Sequence, residues 1–220
     1  MKIVYPLIIA LILVSCVTTK TKKEEFTVDP DSPRVEIGVI EAQFDRLFSI
    51  GGLRKANIAV FYFPHEDAVC LRYRSDLITY NQFWSGEGRE AFINSLEMYK
   101  EDYSQRNLSS KGSRKAKQKY GIVQGYLVWQ LHRLAVLANA NMNVELGYSF
   151  YKKAPYFTVN QMEAEFISPI ARDDNRTSQI ITIFFTRAQA EELAALFDRK
   201  FLDGFAAPAS RGITPGNQQR

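Results

Sequence analysis

One short stretch of the chain, "PHED", places His65, Glu66 and Asp67 side by side after Pro64. An imidazole and two carboxylates could ligate a metal ion or share a proton. Consecutive residues in a tight turn point in different directions, however, so these three side chains cannot converge without partners from elsewhere. The stretch therefore predicts a polar hairpin turn, and we expect no metal site and no cofactor.

Other residues with chemical potential are equally isolated. His132 is the only other histidine and lies in an apolar stretch, which favours a hydrogen-bonded core position. Residues 172–176, "RDDNR", carry two acids but lack the further ligands of a calcium loop, so we expect a turn. The "GEG" at residues 86–88 lacks the spacing and lysine of a phosphate loop, and no Gly-x-Ser-x-Gly nucleophile elbow occurs. No catalytic residue is predicted.

The first of the two cysteines, Cys16, ends an apolar leader. Lys2 precedes the run "IVYPLIIALILV", which ends at Ser15, and this layout is typical of a secretory signal peptide. The run is shorter than the roughly 20 apolar residues that a transmembrane helix needs, and the polar "VTTKTKKEE" follows it. Later apolar runs are also short or interrupted by charge or glycine, so we expect the rest of the chain to stay outside the bilayer.

Leu13, Val14, Ser15 and Cys16 resemble the lipobox of bacterial lipoproteins. The resemblance implies that Cys16 is acylated, for example with palmitate, and becomes the mature N-terminus after the leader is removed. Two or three acyl chains would anchor the protein stably, since each buried methylene contributes about 0.8 kcal/mol. The expected location is the bacterial cell envelope, with the outer membrane favoured over the inner in a Gram-negative-type cell. The alternative is an ordinary secreted protein, and the resemblance implies nothing about the folded part.

Cys70, in "DAVCLRYRS", is the one cysteine left if Cys16 carries lipid, so no intramolecular disulfide can form. A leftover cysteine could be a reactive thiol or an intermolecular link. Val69, Leu71 and Tyr73 surround it, however, and free cysteine is among the most buried residue types. We therefore expect a buried, unlinked thiol.

Positive charge is concentrated between Asp102 and Glu145, where seven basic residues occur without any acid. Most of them lie in "SSKGSRKAKQKY", which could contact anionic lipid or simply be a solvated connection. No aromatic residue is interleaved before Tyr120, so a stacking platform for nucleic acid is not indicated. The residues that would contact an anionic surface are Lys111, Arg114, Lys115, Lys117 and Lys119.

Aromatic residues are abundant, with 15 Phe, 11 Tyr and 2 Trp. Most must fill the core, although tyrosine keeps a polar tip and is favoured at binding surfaces. A cleft for a ring-shaped, sugar-like or peptide ligand could be lined by Tyr80, Trp84, Tyr126, Trp129 and Tyr148.

These residues have to be positioned by a single domain. The sequence divides into a signal peptide at 1–15, a lipidated flexible tether at 16–33, a folded domain at 34–204 and a flexible tail at 205–220. The tether mixes Thr, Lys, acids and Pro and cannot bury enough apolar surface to order itself.

The first half of the domain predicts a helix, three strands and a second helix. Apolar residues in "RVEIGVIEAQFDRLFSIGG" recur at helical spacing, which indicates a short helix over about 38–50. Two apolar runs around "PHED" predict a hairpin, and "LITYNQFWS" a third strand. A long amphipathic helix follows, with Ser85 available as its N-cap and Phe92, Leu96, Tyr99 and Tyr103 on one face.

The second half reads as strands followed by one helix. The strand-like runs are at about 120–130, 143–152, 156–167 and 178–186, and residues 127–138 fit either a strand, which we favour, or a helix. The final helix begins with Thr186 as N-cap and ends at Gly204. The order indicates the α+β class, with an antiparallel sheet of about six to seven strands, two long helices and a shorter N-terminal helix.

Two functions of different classes fit these expectations. The favoured one is a membrane-anchored envelope lipoprotein whose domain binds a ligand, an anionic lipid surface or an envelope protein without catalysis. The alternative is an envelope hydrolase with a site assembled from distant acidic residues and tyrosines. Nucleic acid is not an expected partner, and the oligomeric state is left open.

Overall fold

The computed structural model describes residues 25–45, 52–108, 119–131, 137–166 and 176–205. These ranges contain ten strands and three helices. The strands are β1 (Val35–Asp45), β2 (Arg54–Phe63), β3 (Ala68–Ser75), β4 (Ile78–Trp84), β5 (Lys119–Leu131), β6 (Leu137–Tyr151), β7 (Ala154–Gln161), β8 (Glu165–Phe166), β9 (Arg176–Thr177) and β10 (Ile181–Phe185). The helices are α1 (Gly86–Ser104), α2 (Arg187–Phe197) and α3 (Arg199–Asp203).

Eight of the strands form a closed antiparallel barrel in the order β1-β10-β7-β6-β5-β4-β3-β2, while β8 and β9 pair separately. The ladders differ in length. The β1–β2 ladder extends from Val35 to Phe44, whereas among the described residues β1 meets β10 at Gln43, Phe44 and Asp45. This short seam closes the barrel, and it is the shortest of the barrel's ladders in the part of the chain that the structure describes.

Two helices cover one end of the barrel, because α1 leaves β4 and α2 leaves β10 at that end. In α1 the buried residues Phe92, Leu96 and Tyr99 recur along one face, and in α2 the buried residues include Leu193 and Phe197. The Phe92 ring meets Trp84, Phe157 and Phe197 at centroid distances of 5.9, 5.3 and 5.0 Å. This aromatic cluster joins the helices to the barrel core. Within the described ranges, no helix has the length and apolar character that crossing a bilayer requires.

The predicted α+β class with an open sheet is wrong, because the sheet closes into an eight-stranded barrel. The helix expected over about 38–50 is also wrong as far as the described residues reach, since Val35–Asp45 is strand β1. Ile40, Ala42 and Phe44 are buried at alternate positions, and this period of two competes with the helical spacing of the same apolar residues. Pairing along β2 decides between the two patterns.

Several local predictions are confirmed. The "PHED" residues form the turn of the β2–β3 hairpin, and β4 extends it. The Ser85 side chain caps α1 by accepting from the Gly88 N–H, and Thr186 caps α2 in a reciprocal capping box with Gln189. The C-terminal helix is interrupted at Asp198, whose side chain caps the short α3.

The outer face of β2 to β5 carries a second, smaller apolar cluster. Phe63, Cys70 and Phe83 pack there with Val28, which is only 3 % exposed. Cys70 is free and buried, as predicted. Residues 25–33 belong to the predicted tether, and Val28 fixes this part of it against the barrel wall.

An ion-pair network joins the hairpin turn to the helices. Asp67 Oδ1 lies 2.9 Å from Arg89 Nη2, and Asp67 Oδ2 lies 2.7 Å from Arg199 Nη1. Arg89 is almost fully buried and also donates to the Asp67 carbonyl at 2.6 Å. The acid that the sequence places in a polar turn is thus the counter-ion of a buried arginine.

Candidate functional site

Four polar side chains enter the barrel interior away from the helical end. Tyr73 on β3 faces Tyr80 on β4, Gln82 follows two residues later on the same face of β4, and Gln161 ends β7. Each is at most 2 % exposed. The elements place them there because residues two apart in a strand share a face, so Tyr73 points inward with Leu71, and Tyr80 and Gln82 with Trp84.

Tyr73 and Gln161 are hydrogen-bonded to each other. The Tyr73 hydroxyl donates to Gln161 Oε1 at 2.5 Å, and Gln161 Nε2 donates to the Gln179 carbonyl at 3.0 Å. This chain ties β3 to β7 and to the segment before β10. It positions the Tyr73 ring, which stacks on the Tyr80 ring at a centroid distance of 5.6 Å.

The other two residues each keep an unpartnered atom. Gln82 Oε1 accepts from Trp84 Nε1 at 3.3 Å, and because an indole nitrogen only donates, this bond identifies the amide oxygen. The Gln82 Nε2 group and the Tyr80 hydroxyl are buried and find no hydrogen-bond partner among the described residues. An unsatisfied buried polar group costs about 1–3 kcal/mol, so two on one strand face require an explanation.

The phenols here are neutral hydrogen-bonding groups. Burial raises the pKa of Tyr80 to about 12. Burial also raises the pKa of Tyr73 well above its usual range. Neither hydroxyl is therefore ionised at neutral pH, and both suit binding better than proton transfer.

The five aromatic residues of the predicted cleft do not share one surface. Tyr80 pairs directly with Trp129, and Trp84 lies on the same inward face of β4. Tyr148 is buried near the helical end, 6.3 Å from the Tyr99 ring. Tyr126 lies on the outer wall with Phe83. Four of the five thus belong to the main buried core and Tyr126 does not, and their role in binding stays a prediction.

Of the remaining predicted site residues, Lys119 alone falls within the described ranges. Lys119 begins β5 and forms an ion pair with Glu145. Cys16, His132 and residues 172–175 lie outside the described residues, as do Lys111, Arg114, Lys115 and Lys117. Within the described ranges, no group of three or more His, Cys, Asp or Glu side chains could hold a metal ion.

The sequence interpretation missed Tyr73, Gln82 and Gln161. A signal was present for Gln82, because it stands between Tyr80 and Trp84 in the alternation of a strand whose other inward residues are large rings. A glutamine at an inward position is a buried polar group that needs partners. Gln161 could not be found in this way, because its hydrogen bond with Tyr73 joins residues that are 88 positions apart in the sequence.

Comparison with known proteins gives one match. Searches of curated proteins and of solved structures returned nothing that matches this chain. Residues 34–204 match the model of the family described as "Uncharacterised Treponema protein". This range covers most of the 220 residues and includes every barrel strand. The chain therefore belongs to this family of uncharacterised Treponema proteins.

Proposed function

We propose that this protein is a lipid-anchored envelope protein whose barrel holds a small ligand without transforming it. One observation carries the binding part of the proposal. The Tyr80 hydroxyl and the Gln82 amide nitrogen are buried inside the barrel and lack hydrogen-bond partners among the described residues. A bound molecule with oxygen or nitrogen acceptors would remove this cost.

The surroundings of the two atoms suit a ligand with a ring or another flat apolar part. The Tyr80 ring is stacked on Tyr73, and Trp129 is its cross-strand neighbour on β5. Binding sites of this kind are mostly apolar, with a few polar groups that fix the orientation of the ligand. Gln82 Nε2 offers two N–H donors, and the Tyr80 hydroxyl can donate or accept.

Binding fits the interior better than the hydrolase alternative. A general acid or base works best with a pKa near the working pH, whereas burial moves the pKa values of Tyr73 and Tyr80 upward and away from it. No carboxylate is among the buried polar residues of the described ranges. The proposal is therefore retention or delivery of a ligand.

The test of binding is native mass spectrometry of the full chain purified from its own membranes in mild detergent. We expect a bound mass that is lost on denaturation and strongly reduced in the Tyr80→Phe/Gln82→Leu variant. Tyr126→Phe, on the outer wall, is the matched control and should keep the bound mass. Detection of protein and acyl chains alone, with only ordered waters against Tyr80 and Gln82 in a high-resolution crystal structure, would overturn the proposal.

The anchoring part rests on the lipobox resemblance at Leu13–Cys16. Changing Cys16→Ala should abolish labelling by palmitate and either release the protein from the membrane or leave the precursor uncut. Cys70→Ala is the matched control, because this thiol is buried in the outer cluster, and the variant should be labelled normally. Normal labelling of Cys16→Ala would contradict the anchor.

A further inference from the structure

We propose that the ligand of the barrel carries a negative charge and enters through a side opening between β2 and β3, where Arg54 and Arg74 hold its anionic group. This inference rests on the proposed function and names the chemical class of the ligand. The opening lies at the end of the barrel opposite α1 and α2, where β2 begins and β3 ends.

The opening results from the way the two strands diverge. The β2–β3 ladder joins Ala59–Phe63 to Ala68–Arg72. Beyond this ladder β2 extends back to Arg54 and β3 continues to Ser75. A cavity of about 280 Å³ lies between the two strand ends and is lined by Phe44, Arg54, Lys55, Ala56, Arg74 and Ser75.

The charges around the cavity favour an anion. Three of the lining side chains are basic, and none of those described is acidic. Lys55 forms an ion pair with Glu41, with 2.9 Å between Nζ and Oε1. Arg74 uses its Nε to donate to the Asp76 carbonyl at 3.0 Å, which leaves its two terminal nitrogens available. Arg54 and Arg74 can thus present N–H donors to a carboxylate or sulfonate in the fork geometry that such groups prefer.

The cavity borders the aromatic residues that pack around Tyr80. Phe44 lines the cavity, and its ring is 5.4 Å from the Tyr73 ring, which in turn stacks on Tyr80 at 5.6 Å. Ser75, the next inward residue after Tyr73 on β3, is also part of the lining. A ligand with an acid at the rim and a ring beside Phe44 matches these contacts. The volume, just below the range of about 300–1,000 Å³ for typical pockets, limits it to a small organic acid.

The test compares two probes that have the same shape and differ in charge. Binding of 1-naphthalenesulfonate and of the neutral 1-naphthalenesulfonamide to the full chain in nonionic detergent is measured by calorimetry. We expect the sulfonate to bind about tenfold more tightly at low salt, since a charge-assisted hydrogen bond contributes more than 1.4 kcal/mol. The preference should shrink as salt rises.

Variants locate the preference in the opening. Arg54→Gln/Arg74→Gln should bring the sulfonate affinity down to about that of the sulfonamide. Lys55→Gln, whose amine already pairs with Glu41, should retain most of the preference. The sulfonate preference should also survive when four residues of the basic segment at 109–120 are replaced by Gln, namely Lys111, Arg114, Lys115 and Lys117. This variant distinguishes binding at the opening from nonspecific attraction to the basic segment. Thermal unfolding confirms that each variant is folded.

Two results would overturn this inference. The first is equal affinity of the parent protein for the two probes, or no binding of the sulfonate at all. The second is a sulfonate preference that survives in Arg54→Gln/Arg74→Gln. Mass spectrometry of the native protein decides separately whether the barrel holds any ligand, so a neutral bound molecule would exclude the charge requirement and leave the proposed function standing.

Discussion

The rings of Tyr73 and Tyr80 stack on each other, and both residues are buried. Only Tyr73, however, has a hydrogen-bond partner for its hydroxyl among the described residues. We predict that Tyr73→Phe lowers the free energy of unfolding by about 1–3 kcal/mol, because it leaves Gln161 Oε1 buried without its donor. Tyr80→Phe should be neutral or stabilising by up to about 1 kcal/mol, since it removes an unsatisfied hydroxyl. Urea unfolding of the ligand-free protein measures both, and an equal loss in the two variants would indicate that an internal water serves Tyr80.

The buried phenols also predict how stability depends on alkaline pH. Burial raises the pKa values of Tyr80 and Tyr99 to about 12, compared with about 10 in an unfolded chain. Below pH 10 both phenols are protonated in both states, so their contribution to stability is fully present. Between pH 10 and 12 they ionise only in the unfolded state, and the free energy of unfolding falls.

The measurement is the urea midpoint from pH 9 to 11.5. Tyr80→Phe removes one of these ionisations. The slope of the free energy of unfolding against pH should therefore be smaller by the equivalent of about one proton. Identical pH profiles for the parent and Tyr80→Phe would show that the Tyr80 hydroxyl is solvated.

At the scale of elements, Asp67 links the β2–β3 turn to α1 and α3. Its partner Arg89 has a side chain only 3 % exposed, whereas the Arg199 side chain is 62 % exposed. We predict that Asp67→Asn costs about 3 kcal/mol, because it leaves a buried guanidinium without its counter-ion. Asparagine is the suitable replacement, since it tolerates the positive φ of 45° at this position.

The matched control for Asp67 is Arg199→Ala, which removes the exposed partner together with its ion pair to Asp203. It should cost less than about 1 kcal/mol, as surface ion pairs usually do. Thermal and urea unfolding give both values. Equal costs for the two variants would contradict a dominant role for the buried pair.

Elements with strong local signals could be predicted from the sequence, whereas β1 could not. Helix α1 has a cap, an apolar face and a clear start at Ser85, and α2 begins at Thr186 in the same way. In β1, Ile37, Ile40 and Phe44 satisfy helical spacing while Ile40, Ala42 and Phe44 satisfy strand spacing. Only the partner strand β2, which follows later in the chain, resolves this ambiguity.

At the scale of the whole molecule, barrel closure was beyond the reach of sequence patterns. Alternating apolar residues specify strands with a buried face, but an open sheet covered by helices and a barrel closed on itself require the same alternation. Closure depends on the pairing of β1 with β10, where the described residues form three pairs between elements about 140 residues apart in the chain. The candidate site also depends on barrel closure, because β3, β4 and β7 surround a common interior only when the sheet closes.

The basic segment belongs to the scale of the whole molecule, because it would set how the domain meets a membrane. Replacing Lys111, Arg114, Lys115 and Lys117 by Gln should leave thermal stability nearly unchanged. Lys119 is kept, since it pairs with Glu145. If the segment contacts anionic lipid, the Cys16→Ala protein should bind acidic vesicles at low salt and dissociate as salt rises, because the screening length falls to about 8 Å at 0.15 M.

The four-Gln change, made in the Cys16→Ala protein, should remove this vesicle binding. The same protein with Lys100→Gln is the matched control, since Lys100 is a partly exposed lysine on α1 that pairs with Glu97 and lies 3.9 Å from Glu191. Vesicle binding that is equal with and without the four-Gln change would contradict lipid contact, and a large loss of stability would contradict a peripheral segment.

The short seam has a consequence for self-association. Only residues 43–45 of β1 hydrogen-bond to β10, and α2 packs against β1 beyond that point, with Leu196 filling the space above Gly38. If α2 detached, the remaining backbone groups on that side of β1 would form an open strand edge of the kind that templates intermolecular pairing. We therefore expect α2 to shield this edge from intermolecular β-pairing, and a chain truncated after Thr186 should form aggregates that bind thioflavin.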